Sequence, residues 1–114
     1  MQGLSRGYLG LYFDKAFIVD EKTLLDTITD PQFATYQEMN AAAIAQIDSA
    51  IAIANRSNFT LPVDSWLYTP LTKDQFIRVA NSFVARLMVY NARTRAERAA
   101  VDWNKVIQRI DAGI

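Results

Sequence analysis

Apolar residues recur along this chain mostly at three- and four-residue intervals, the period of a helix face, and no strand-length stretch alternates apolar with polar positions. The spacing predicts four helices. The first, about residues 2–18, carries Leu4, Tyr8, Leu9, Leu11, Tyr12, Phe13, Ala16 and Phe17 on nearly every face, as expected of a helix buried among neighbours. Gly3, Gly7 and Gly10 fall on one of its stripes. Each glycine costs about 1 kcal/mol relative to alanine in a helix, so the stripe predicts close approach of another helix. A membrane small-residue motif is a poorer explanation, because Arg6, Asp14 and Lys15 interrupt a short segment.

Three Thr-x-x-Glu/Gln pairs mark the remaining helix starts. Thr35 with Glu38 opens a helix to about residue 54, with Met39, Ala43, Ile47, Ala50, Ile51 and Ala54 on one face. At 1.5 Å per residue this helix is roughly 30 Å long. Thr72 with Gln75 opens one to about residue 91, whose inner face reads Phe76, Val79, Ala80, Phe83, Leu87 and Tyr90. Thr94 with Glu97 opens the last, to about residue 111, packing through Ala99, Ala100, Trp103, Val106, Ile107 and Ile110, with Gly113 as a C-terminal cap. So short a connection makes the last two helices antiparallel neighbours.

Two loops separate these elements. Residues 19–34 contain Asp20-Glu21-Lys22 and Asp30-Pro31, with Leu24, Leu25 and Ile28 offering one apolar turn to dock on the bundle. Residues 55–71 contain Asn58-Phe59, Leu61-Pro62 and Trp66-Leu67-Tyr68. The chain therefore reads as one all-α domain spanning residues 1–114, built from antiparallel helical hairpins without a clean internal repeat.

Composition narrows the chemistry. The 114 residues carry 12 basic and 12 acidic side chains, leaving no overall field to draw in nucleic acid or an anionic membrane. The balance is uneven, because residues 1–71 hold four basic and eight acidic side chains, and residues 72–114 the reverse. There is no cysteine and no histidine, which removes the usual thiolate nucleophile, general base and zinc ligands. The acidic clusters, Asp20-Glu21 and Asp26/Asp30, sit in a turn-like loop where solvated side chains explain them better than paired catalytic acids. No glycine-rich phosphate cradle exists, no run approaches the roughly 20 apolar residues of a membrane span, and the N-terminus lacks a signal-peptide pattern. No enzymatic activity, cofactor or metal is expected.

Among the remaining candidates, Arg93, Arg95 and Arg98 gather at the third-to-fourth helix junction, where an anion or acidic-partner site is one reading and cations that suit a helix C-terminus or face solvent are the more ordinary one. Arg86 lies beside the inner stripe and is expected to pair with Asp102 or a carbonyl. Trp66 and Tyr68 sit in a proline-bounded loop. Their faces offer a stacking platform for a sugar ring, although plugging the gap between hairpins is the more ordinary use of such aromatics.

Taken in order, these segments resemble the helical core of the SusD/RagB family of nutrient-binding outer-membrane lipoproteins. Gly3-Leu4-Ser5-Arg6-Gly7-Tyr8 and the aromatic residues to Phe13 resemble its first core helix, and Asp48-Ser49-Ala50 resembles part of its second. Ala80 to Tyr90, with Ala85-Arg86-Leu87, resembles the signature Ala-x-x-x-Leu-Ala-Arg-x-Tyr-Leu, and Trp103, Val106-Ile107 and Gly113 resemble the helix that follows. The chain departs from the family's Gly-x-x-Pro turn, having Ile18-Val19-Asp20-Glu21 there. The resemblance implies a fragment of a tetratricopeptide-like α-α superhelix. It also implies non-enzymatic capture of glycans or other oligomeric nutrients at the outer-membrane surface. The partner would be a TonB-dependent, SusC-like transporter, nucleic acid would not bind, and the membrane would be reached only through a lipid anchor outside this chain. Trp66 and Tyr68 are then the candidate sugar contacts. The alternative is a stand-alone tetratricopeptide-like adaptor that binds a peptide in a concave groove.

Overall fold

The computed structural model describes residues 1–19, 23, 32–63 and 69–114. Within them the chain is mainly helical: α1 (Gln2–Tyr12), α2 (Tyr36–Asn55), α3 (Lys73–Tyr90), α4 (Arg95–Ala99) and α5 (Trp103–Asp111). Two short antiparallel ladders accompany them, β1 (Lys15–Ala16) with β2 (Ala34–Thr35), and β3 (Thr60–Leu61) with β4 (Leu71–Thr72). Leu24, Leu25, Ile28, the acidic clusters Asp20-Glu21 and Asp26/Asp30, and both candidate sugar contacts, Trp66 and Tyr68, lie outside the described residues.

All three capping boxes form. Thr35, Thr72 and Thr94 each accept from the backbone N–H three residues on, and Glu38, Gln75 and Glu97 reach back to the cap's own N–H. The first two caps share a further device. Thr35 and Thr72 are each the last residue of a ladder strand, paired with Lys15 and Thr60 respectively. A two-residue ladder thus closes each long connection and hands the chain directly into a capped helix, with nearly identical cap angles (φ −69°, ψ 162° and φ −67°, ψ 162°).

The helices pack serially. Along α1, Gly3 faces Ala43, Gln46 and Ile47, whereas Gly10 faces Tyr36, Met39 and Asn40, so α1 and α2 run antiparallel. A Cβ on Gly3 or Gly10 would lie 3.0–3.2 Å from α2 backbone oxygens and side-chain carbons. A Cβ on Gly7 would come within 2.7 Å of Leu87 in α3. The glycine stripe is therefore the packing face, as expected. Antiparallel α5 docks its end on the start of α3, with Arg78 Nε donating to the Gly113 carbonyl at 2.9 Å and Ile114 N–H to Ser82 Oγ at 3.0 Å.

The shared core consists of Ala43, Ile47, Ala80, Val84 and Leu87, flanked by Leu11, Ile44, Ile51 and Met88. Among the described residues, four of the nine buried apolar ones are alanines, so close backbone spacing substitutes for bulk.

Several expectations need correction. The first helix ends at Tyr12, because Phe13 turns extended (φ −117°, ψ 146°) and the chain enters β1. Its aromatic side is not buried all round: Leu9, Tyr12 and Phe13 are exposed, since the glycine stripe takes the inner side. The fourth helix is two. The Thr94 box opens only α4, and Asp102 Oδ1 accepts from Lys105 N–H at 3.2 Å to start α5 anew. The restart turns α5 so that Val106 is buried, while Trp103, Ile107 and Ile110 are 50%, 53% and 54% exposed and Ala99 and Ala100 face solvent. Tyr90 likewise points outward from α3. Gly113 is no left-handed cap: the C-cap is Ala112, and no described glycine has positive φ. Its missing Cβ instead leaves room for Ser82 Oγ, 2.6 Å from where that atom would sit.

Two substitutions test this packing. Gly10→Val should cost about 1–3 kcal/mol by overpacking against Tyr36 and Met39, read as a lower urea midpoint, whereas valine at exposed Ser5 should cost far less. Thr72→Ala should remove about 1 kcal/mol of cap stability, seen in the same titration with the slope unchanged.

Candidate functional site

Three places gather functional side chains, and the first is where α1, α2 and α4 meet. Arg93, just beyond α3, crosses to the end of α1. Its Nη2 donates to the carbonyls of Gly10 (2.9 Å), Phe13 (3.0 Å) and Leu11 (3.4 Å), and its Nη1 pairs with Asp14. The guanidinium lies 3.9 Å from the Tyr36 ring centroid. Cations suit these orphaned helix-end carbonyls, so Arg93 acts as a cap supplied from a distant part of the chain.

Glu97 completes the junction. Its carboxylate accepts from the Tyr36 hydroxyl, from Gln37 Nε2 (3.0 Å), and from the N–H groups of Arg93 (3.0 Å) and Thr94 (2.8 Å). The Tyr36 hydrogen bond, then that from the Thr94 backbone, hold its pKa down from 4.5 to about 2, against the opposing effect of partial desolvation. The same bond raises the Tyr36 phenol, which gives up a favourable donor role on ionising. Beside this junction lies an open cleft of about 200 Å³, lined by Gln37, Met88, Asn91, Ala92, Glu97, Ala100 and Val101. Asn91 Oδ1 is a buried acceptor without a partner among the described residues. Glu97 at the rim of the cleft is already engaged by four donors.

At the other end of the helix layer, Arg109 of α5 donates to Asp48 Oδ2 in α2 (2.8 Å) and Asn81 Oδ1 in α3 (3.0 Å). Asn81 is buried and donates onward to the Ile77 carbonyl. Arg109 therefore fastens three helices through one guanidinium.

The third place is the outer face of α1 and α3. Arg86 does not pair with Asp102, which caps α5 and contacts Lys105 instead. Its guanidinium sits 5.9 Å from the Tyr8 centroid and 5.4 Å from that of Tyr90, and Tyr8 and Tyr12 lie nearly parallel, 14° apart at 6.4 Å. Sequence reading missed this group because it treated Tyr8 and Tyr90 as core. The signal available was the pairing of Tyr8 with Tyr12 and Arg86 with Tyr90, each at i,i+4.

Arg95 and Arg98 are exposed, whereas Arg93 is half-buried at the end of α1. The β3–β4 ladder anchors both ends of the segment that contains Trp66 and Tyr68. Among the described residues no group of three or more acidic side chains is placed to hold a metal, and no helix is long and apolar enough to cross a membrane. No protein-family model, curated protein or solved structure matches this chain.

The Glu97 junction predicts a defined acid response. A depressed folded-state pKa means that the carboxylate stabilises the fold above its ordinary value of 4.5, and that this is lost as pH falls through about 2. Glu97→Gln should therefore melt below the wild type at pH 7. The gap between the two melting temperatures, followed by circular dichroism, should close between pH 4.5 and about 2.

Proposed function

We propose that this chain is the helical scaffold of a SusD/RagB-type nutrient-capture protein. In that reading it performs no catalysis. It belongs to an outer-membrane surface protein that takes up glycans with a TonB-dependent transporter, its anchor lying outside this chain, and its helices form part of a tetratricopeptide-like superhelix. The carrying observation is the serial antiparallel order of α1, α2, α3 and α5, each packed on its predecessor. Two further features support it. The outermost helix, α5, leaves the stripe Trp103, Ile107 and Ile110 uncovered at helical spacing, as an internal unit of a stacked array does. The long connections leave through ladders at opposite ends of the layer, which suits surface loops that carry binding residues on a rigid frame.

The function is tested by offering the full chain both a glycan array and a library of extended peptides. Retention of glycans, together with co-purification of a TonB-dependent transporter with the tagged protein from outer membranes, is the expected result. Retention of peptides without any glycan would replace this reading with that of a peptide-binding adaptor.

A further inference from the structure

Four other arginines of this chain are occupied. Arg6 donates to the Val19 carbonyl (2.8 Å), Arg78 to that of Gly113 (2.9 Å), Arg93 to the end of α1, and Arg109 to Asp48 and Asn81. Arg86 differs. It is exposed and has tyrosine rings on two sides, but no hydrogen bond or ion pair among the described residues. Among the described residues its surroundings supply no anion. α1 contains no acidic residue, and the one acid of α3, Asp74, stands twelve positions before Arg86, roughly 18 Å along the helix.

The setting fixes what such a cation would recognise. Cation–π contact with two rings restrains the guanidinium plane while leaving its N–H fork to solvent, and a planar fork pairs with a carboxylate through two parallel hydrogen bonds. Tyr8 and Tyr12 present nearly parallel rings one helical turn apart on α1, and Tyr90 adds a third beside Arg86 on α3. Ring faces attract apolar C–H surfaces, and the phenol hydroxyls can exchange hydrogen bonds with a hydroxylated ligand. A sugar ring has both properties. An acidic peptide shares the carboxylate but lacks the hydroxylated ring, so it is the competing probe below.

We propose that Tyr8, Tyr12, Arg86 and Tyr90 form a subsite for carboxylate-bearing sugars, in which the ring faces stack on the pyranose and Arg86 holds the uronate group. The subsite rests on the glycan-capture reading and names its substrate class. It lies on the described face of α1 and α3, independent of Trp66 and Tyr68.

Titration calorimetry of the full chain tests it, with an oligogalacturonate, a neutral galacto-oligosaccharide of equal length and a hexaglutamate peptide as probes. The oligogalacturonate should bind about tenfold or more tighter than the neutral oligomer, the margin of one charge-assisted pair, and its affinity should fall with added salt. Arg86→Gln should lose that margin, while Arg86→Lys keeps part of the charge effect and loses the bidentate share. Tyr12→Ala, at an exposed position, should weaken both sugars together. Circular dichroism melts check that each variant folds. Equal binding of the two sugars, an unchanged Arg86→Gln variant, or hexaglutamate binding as tightly as the uronate overturns the subsite. Neutral-sugar binding then keeps the capture reading, whereas binding of neither sugar defeats both.

Discussion

The guanidinium of Arg93 holds the layout together. Five positions at the end of α1 and the start of α2 depend on it: the carbonyls of Gly10, Leu11 and Phe13, the Asp14 carboxylate and the face of Tyr36. Without that cation, α1 would end in bare carbonyls beside an aromatic ring, with nothing linking it to the chain beyond α3. Because Glu97 accepts from the Arg93 backbone and from the Tyr36 hydroxyl, the anion and cation brace each other through shared partners. The junction thereby fixes where α1 ends, where α2 begins and where the chain turns after α3.

This anchoring explains how so thin a core holds long helices. The buried residues are largely alanine, valine and leucine, and the α1 contact is made by glycines. Small residues bring backbones close and improve van der Waals contact, but each buries little apolar area. Polar clasps at the two ends of the layer supply the specificity such a surface lacks. Arg93 joins α1, α2 and the region after α3, while Arg109 joins α2, α3 and α5. The register between helices is then set by guanidinium groups with unique partners, whereas a smooth alanine face would tolerate sliding.

What the sequence disclosed follows from the range of the interactions involved. The capping boxes at Thr35, Thr72 and Thr94 are local, needing only side chains three residues apart, and every one is present. The glycine stripe is legible because a repeated helix-weakening residue needs a spatial reason. Helix ends fixed by distant partners are not legible. Nothing near Tyr12 announces that a residue some eighty positions later will cap its helix, and nothing in the apolar spacing after Thr94 shows that Asp102 will open a second helix. That one restart reversed the reading of Trp103, Ile107 and Ile110 from core to surface. Arg86 was misplaced for a related reason. Its neighbour Tyr8 is on another helix, so the pair exists only once Leu87 has settled over Gly7.

The same geometry determines where a ligand or partner can be received. α1 packs on α2 and, through Gly7, on α3, whereas α5 packs on α3 alone among the helices it contacts extensively. Their outer faces are where large side chains remain uncommitted, yet the two faces differ in character. That of α5 is an aliphatic stripe with one tryptophan, suited to covering by another helix. That of α1 and α3 is aromatic and cationic, with a guanidinium that has no hydrogen bond or ion pair among the described residues. Burial against an apolar helix would strip water from Arg86 without supplying an acceptor, at a cost that cation–π contact alone does not offset. A hydrated, anionic ligand avoids that penalty. On the proposed reading, the chemistry of the two edges places assembly on the α5 side and recognition on the α1–α3 side.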